Sequence, residues 1–403
     1  MNSNCGIVLS GGGTRGAYEV GVVRGIVEVL GATADSAPLF RVLSGTSVGA
    51  INAAYLAANA HRGDHGIGEL CEVWKGLRLD EHAHVRPLGL IRWPSKLRGW
   101  LLSGSAGTSL LDTAPLVGLV QRSIDWQRLH RNVSEGIVNA LLVAALHVVS
   151  GRTTVFAEVA PGRQYIPSRD ARRSTRFEPI ELDHVLASAA LPLLFPTWRV
   201  GAHYYCDGGL RFNTPVAPAI RAGADRLVVI CVRRERTRGE TDAVELQAEL
   251  GEGRDLGPLF LLGKLLNALL LDPVMYDLQV LERFNKVVET LEQTMPAPSV
   301  EQIQKVLAGN RGVGYRRVRT LTFFPSEDLG KLAGHYVRHD LDMTGLKPIT
   351  RYLLERAARR DPHEESDWAS YLLFDGGFAS ELIELGRQDA HARRDDICGF
   401  FAE

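Results

Sequence analysis

Short apolar runs recur along the first part of the chain. Gly6-Ile7-Val8-Leu9, Arg41-Val42-Leu43 and Arg226-Leu227-Val228-Val229-Ile230-Cys231-Val232 are each bounded by polar or glycine-rich residues. Such runs read as strands buried on both faces, because a half-exposed strand would alternate apolar with polar. Between them lie stretches with helical spacing: Ala17 to Val27, Ile51 to Ala58, Gly68 to Leu77, Leu111 to Trp126 and Glu181 to Ala190. Asn213-Thr214-Pro215-Val216 starts another helix, with proline near the first turn, where its missing N–H does no harm. Strands alternating with helices predict an α/β sheet. Asn139 to Val149 is almost wholly apolar and Thr153 to Val159 is rich in β-branched residues. Neither approaches the roughly twenty residues that a membrane-spanning helix needs. Gly151-Arg152 makes a tight link between them, so the pair predicts an antiparallel hairpin at one side of the sheet.

The pattern changes near residue 236. From Asp242 it is helical, and Leu256 to Leu271 is strongly apolar, suited first to a core helix and otherwise to a cap over a binding channel, a dimer seam or membrane contact. Arg317 to Phe324 predicts one late strand. Asp375-Gly376-Gly377 precedes a helical stretch, Ala379 to Leu385, and reads as its capping turn. The chain therefore divides into an α/β unit over 5–235 and a mainly helical region over 236–403 packed on it.

Three glycine turns carry the chemistry. In the first, Arg41-Val42-Leu43 runs into Ser44-Gly45-Thr46-Ser47-Val48-Gly49-Ala50 and then into the apolar helix. Gly-x-Ser-x-Gly between a strand and a helix is a nucleophile elbow: the serine occupies a strained turn, and its neighbours must be small. It also places Ser47 at a helix N-terminus, where partial positive charge favours a developing anion. The second is Ser10-Gly11-Gly12-Gly13-Thr14-Arg15-Gly16, again between strand and helix. Consecutive glycines there present backbone N–H groups that can hold the oxyanion of a tetrahedral intermediate. The third, His203-Tyr204-Tyr205-Cys206-Asp207-Gly208-Gly209, is a short aromatic strand ending in aspartate and two glycines, preceded by Ala187-Ser188-Ala189-Ala190-Leu191-Pro192.

Glycine loop, Gly-x-Ser-x-Gly, Ala-Ser-x-x-x-Pro and Asp-Gly-Gly, in this order over residues 5–215, resemble the patatin-like phospholipases. The resemblance implies a three-layer sandwich with a mostly parallel central sheet and a largely helical C-terminal extension. It implies a Ser-Asp dyad without histidine: Ser47 as nucleophile, Asp207 as base, and Gly11, Gly12 and Gly13 as the oxyanion hole. Gly45, Gly49, Gly208 and Gly209 support the motifs. Arg15 matches an arginine common in bacterial glycine loops, where it would meet a phosphate or brace the loop. The substrate class implied is a phospholipid, lysophospholipid or acylglycerol, cleaved with no cofactor and no metal.

Composition narrows the partners. The chain has 403 residues, 45% of them apolar and 23% charged, with a formal net charge of -1. A balance this even recruits neither nucleic acid nor an anionic membrane through a global field. Five scattered cysteines without a Cys-x-x-Cys suggest reduced thiols and a cytoplasmic setting, with peripheral membrane contact as an added expectation. Met1-Asn2-Ser3-Asn4 lacks a basic leader region, so the apolar residues after it read as a first strand. Arg86 to Gly104 interleaves Trp93, Trp100 and several leucines with Arg86, Arg92, Lys96 and Arg98. That mixture suits a membrane interface or a lid, against a packed loop as the plainer reading. The basic stretch Arg163 to Arg176 reads as a solvated loop. His61, Asp64 and His65 read as a helix–helix turn, because no third ligand lies at a metal-binding spacing. A homo-oligomer is compatible with the apolar segments.

Two other functions fit parts of the sequence. A Ser-His-Asp triad on an α/β-hydrolase also uses Gly-x-Ser-x-Gly, but its elbow follows more strands than precede Ser47 here. A dinucleotide-binding loop fits Gly11, Gly13 and Gly16, yet it needs an acid at the end of the second strand, where Ser44-Gly45 stand.

Overall fold

The computed structural model describes residues 4–82, 84–85, 111–112, 114–192, 194–235, 239, 267, 272–311, 314, 316–344, 346–348, 350–351, 354 and 367–402. The Arg86–Gly104 segment lies outside these residues, as does Leu256–Leu271 apart from Asn267. The strands are β1 (Cys5–Leu9), β2 (Val42–Thr46), β3 (His84–Val85), β4 (Leu111–Asp112), β5 (Ala140–His147), β6 (Thr153–Val159), β7 (Arg173–Phe177), β8 (Trp198–Val200), β9 (His203–Asp207), β10 (Arg226–Ile230) and β11 (Arg319–Phe323). The helices used below are α1 (Gly16–Leu30), α2 (Val48–Ala58), α3 (Ile67–Lys75), α4 (Ala114–Ser123), α5 (Trp126–Ser134), α6 (Leu182–Ser188), α7 (Val216–Arg221), α8 (Asp272–Thr294), α9 (Asp367–Leu372) and α10 (Gly376–Ala392).

The main sheet runs in the order β11-β10-β1-β2-β5-β6-β7. Its β11-to-β5 part is parallel throughout, and β5 and β6 form the expected antiparallel hairpin. Alternate strand residues fall into separate cores. Ile7, Leu9, Leu43, Leu141, Val143, Val228 and Ile230 pack on one side, with α1, α2, α3 and α10. Val8, Val42, Ala140, Leu142, Leu227 and Val229 pack on the other, with α7 and Leu278 of α8. A sheet covered on both faces explains the unbroken apolar strands, and helices on each side make three layers.

Two local readings change. Leu111 to Trp126 is not one helix. β4 pairs with β3, α4 follows, and Asp125 then caps α5 by accepting a hydrogen bond from Arg128 N–H (2.9 Å). Within the basic stretch, Arg173–Phe177 forms β7, an edge strand parallel to β6. An edge strand needs only backbone pairing on one side, and its arginines discourage pairing on the other, so it carries no apolar alternation to read. His65 is a packing residue. Its Nε2 accepts the Phe40 N–H, and its Nδ1 lies 3.1 Å from the Leu56 carbonyl. Burial pushes its pKa down to about 4, so the ring stays neutral.

The C-terminal part joins the same body. β11 extends the parallel sheet beside β10. Helix α10 lies along α1: the Tyr18 hydroxyl donates to Asp389 (2.9 Å), and Phe378, Leu382 and Ile383 are buried in the α1 core. Asp375 caps α10 by accepting from Gly377 and Phe378 N–H, as the capping reading predicts. No described helix is long and apolar enough to cross a membrane.

Candidate active site

The register of β5 brings the two distant motifs together. Along one edge, β5 pairs with β2 up to Thr46, which lies opposite Ala144. There β2 leaves the sheet into the elbow. The next position on that edge, Ala145, is opposite Asp207 of β9, which arrives antiparallel. One strand ends where the other takes over, so Ser47 and Asp207 meet although 160 residues separate them. The Ser47 hydroxyl donates to Asp207 Oδ2 at 2.6 Å.

The elbow is strained as its sequence requires. Ser47 has φ 55° and ψ −128°, a region that costs a non-glycine residue about 1–3 kcal/mol. Its surroundings over-determine it. The backbone at Gly49 runs so close to β1 that a Cβ there would fall 2.4 Å from the Leu9 carbonyl oxygen, and Gly45 faces Gly49 just as closely. Ser188, on the Ala-Ser-x-x-x-Pro motif, accepts the Ser47 N–H at 2.8 Å and donates to the Ala144 carbonyl at 2.6 Å. A residue with a readable motif but no assigned role thus fixes the backbone at Ser47. Gly208 lies against the Ala144 carbonyl, and Gly209 N–H donates to Asp207 Oδ1 (2.7 Å).

Asp207 is 1% exposed and Ser47 is 7% exposed. Burial pushes the Asp207 carboxyl up to about 6, against the opposing pull of the Ser47 and Gly209 hydrogen bonds. A carboxylate of ordinary pKa, about 3.9, is a poor base; one raised by burial is a better one. Among the described residues no imidazole hydrogen-bonds Ser47 or Asp207. His203 lies at the far end of β9, 3.3 Å from His147.

The glycine loop is held from three sides. Gly11 N–H donates to the Asn213 carbonyl (3.2 Å), and the Asn213 side-chain amide donates to the Gly11 carbonyl (3.1 Å). The Gly11 amide is therefore engaged, and Gly12 and Gly13 carry the N–H groups with no protein acceptor among the described residues. Gly13 has φ 57°, and a Cβ there would strike the Tyr371 carbonyl at 2.2 Å. Beneath the loop, Glu19 accepts the Ser10 N–H (2.6 Å) and the Asn52 side-chain amide (3.0 Å). Asn52 in turn accepts from Trp74 Nε1 at 3.2 Å. Glu19 is wholly buried, and burial raises its pKa well above the carboxylate range. It is an acid inside an otherwise apolar helix face, and that isolation was its one sequence signal. Arg15 is 3% exposed. Its Nε donates to Ser370 Oγ (2.9 Å), and its guanidinium stacks 4.2 Å from the Tyr371 ring centre. These contacts tie the glycine loop to the C-terminal segment.

A cavity opens beside Ser47 and Gly13. Its described walls are apolar, with Ile51, Leu116, Val120, Leu186, Trp198 and Phe374 among them. A nucleophile with a buried carboxylate, at one end of an apolar slot, can open an ester that carries a long hydrocarbon chain.

Residues 7–220, just over half of the chain, match the family model of the patatin-like phospholipases. A cGAMP-activated phospholipase of Pseudomonas aeruginosa (strain BWHPSA011 / Pa011) is 26% identical over 268 residues, covering 63% of this chain and 69% of that protein. Among solved structures, VipD from Legionella pneumophila aligns over 95% of this chain and 67% of its own, at 13% identity and a TM-score of 0.31. The chain belongs to the patatin-like phospholipase family, whose chemistry is lipid hydrolysis.

Proposed function

We propose that this protein is a metal-independent serine acyl hydrolase of the phospholipase A or lysophospholipase type, acting on ester-linked fatty acids through Ser47 and Asp207. The observation that carries the reading is the buried 2.6 Å hydrogen bond between the two side chains. Asp207 takes the Ser47 proton as the hydroxyl attacks the ester carbonyl. The carbonyl oxygen gains negative charge and is held by the Gly12 and Gly13 N–H groups; one donor of this kind is worth about 10²- to 10³-fold in rate. The C–O bond then breaks, Asp207 returns its proton to the departing alcohol, and the acyl group stays on Ser47. Water, deprotonated by Asp207, attacks that acyl-enzyme; the Ser47 ester bond breaks, Asp207 returns the proton to Ser47 Oγ, and the fatty acid leaves. The acyl chain lies in the apolar slot, and the polar remainder of the lipid stays toward solvent.

The test is acyl release from defined phospholipids, lysophospholipids and acylglycerols, read by mass spectrometry. Wild type releases fatty acid, Ser47→Ala releases none, and a fluorophosphonate labels Ser47. EDTA leaves the rate unchanged. Turnover that survives Ser47→Ala, or that stops with EDTA, overturns the reading.

A further inference from the structure

The same strand that delivers Asp207 begins on a protrusion the catalytic reading does not use. β9 starts at His203, four residues and about 13 Å before Asp207. Its neighbour β5 ends in the turn to β6, and Val148 N–H donates to the Tyr204 carbonyl (2.9 Å). The β5–β6 and β8–β9 turns therefore project together beyond the C-terminal edge of the sheet, the edge that carries Ser47.

The surface of this protrusion is unusual for the molecule. Val149 is 86% exposed, Val148 45% and Tyr204 40%. Only seven large apolar side chains are exposed among the described residues, and three of them stand here. Around them are the exposed Arg152, Arg199 and Arg211. Their hydrogen bonds run to the backbone carbonyls of Arg173, Gly201 and Gly151, and none forms an ion pair with a carboxylate among the described residues. Neither His147–Thr153 nor Trp198–Cys206 contains an acid. Trp198 pairs with Tyr205 at the base of the protrusion and lines the apolar slot. The base of the protrusion is thus a wall of the slot.

We propose that this protrusion docks the protein on an anionic lipid bilayer, with Val148 and Val149 entering the acyl boundary, Tyr204 at headgroup depth and the three arginines on the phosphates. The proposal rests on the lipid-ester reading above and adds the surface from which the substrate is drawn. Two apolar side chains at the tip of a cation-rimmed turn fit this partner, because interfacial binding sums buried apolar area and attraction to anionic headgroups. A protein partner would leave the unpaired arginines calling for carboxylates instead.

The experiment uses full-length Ser47→Ala protein, which cannot consume the vesicles. Sedimentation with phosphatidylcholine vesicles is compared with the same vesicles containing phosphatidylglycerol. Binding is expected to favour the anionic vesicles and to weaken as NaCl is raised. Each arginine near the surface contributes about five-fold, so Arg152→Gln with Arg199→Gln loses roughly 25-fold. Val148→Ser with Val149→Ser loses on the order of ten-fold on the same vesicles. In an otherwise wild-type chain, the valine pair keeps its rate on a soluble short-chain ester, which reports an intact fold and site. Equal binding to neutral and anionic vesicles, or unchanged binding by the valine variant, overturns the proposal. So does a wild-type dimer that becomes monomeric in the valine variant, because the valines then face a second copy. The soluble-ester rate of wild type against Ser47→Ala tests the catalytic reading separately.

Discussion

At the scale of single residues, the site sets stability against chemistry. In the proposed mechanism Asp207 acts as base only when ionised, yet burial pushes its carboxyl pKa up to about 6. On rising pH, activity toward a soluble ester should therefore climb through about pH 6 and level off above it. Stability runs the other way. An acid whose folded pKa lies above its unfolded value of about 3.9 contributes most below that value, and loses the contribution as pH rises to about 6. Asp207→Asn removes the buried charge and keeps the shape. It should abolish turnover while raising Tm at pH 8, by an amount corresponding to roughly 2–3 kcal/mol at most. Calorimetry beside an ester assay checks both. Glu19 supplies the contrast. Its carboxyl has no cation partner among the described residues and accepts two N–H groups. Glu19→Gln keeps one acceptor oxygen but meets the second donor with its own NH2, so it should cost about 1–3 kcal/mol, whereas Glu19→Ala strands both donors at about 1–3 kcal/mol each. Equal melting temperatures for the two variants would mean that Glu19 does not hold the loop.

At the scale of elements, the strand–turn–helix units around Ser10–Gly16 and Ser44–Ala50 were legible because each had to satisfy backbone geometry and chemistry at once. Such places leave small residues at fixed offsets. What could not be read were the residues that aim those turns. Ser188 and Asn213 each act through a pair of hydrogen bonds across long sequence distances, and nothing in their own neighbourhood marks the partners. β7 was missed for the opposite reason: its residues satisfy only the backbone of β6 and carry no apolar period. Asn213 allows a direct test of how the loop is aimed. Its side-chain amide and its backbone carbonyl grip the two ends of the Gly11 residue. Asn213→Ala removes one grip and leaves the dyad untouched. The expected result is a fall in kcat of about 10- to 100-fold with KM nearly unchanged, since an oxyanion donor acts on the transition state. A change confined to KM would place Asn213 in substrate binding instead.

At the scale of the whole molecule, the glycine loop over residues 10–16 depends on residues near the C-terminus. Thr14 donates to the Tyr371 carbonyl, Arg15 donates to Ser370 and stacks on Tyr371, and Phe374 closes one side of the apolar slot. The buried apolar face of α1 is covered by α10, and β10 finds its outer partner in β11. A chain ending at residue 235 would keep every motif that identifies the family. It would also expose Val22, Ile26 and their neighbours on α1, together with an open parallel edge of the kind that invites aggregation. Such a fragment should be insoluble or, where recovered, unreactive toward a fluorophosphonate. Point changes separate covering from aiming. Phe378→Ala opens a cavity under α1 and should cost about 3–5 kcal/mol of stability while leaving the rate of the folded fraction near wild type. Tyr371→Ala removes the ring on which Arg15 stacks and should lower kcat more than it lowers Tm. If the Tyr371 variant lost only stability, the C-terminal segment would be a cover for the core and not a brace for the oxyanion loop.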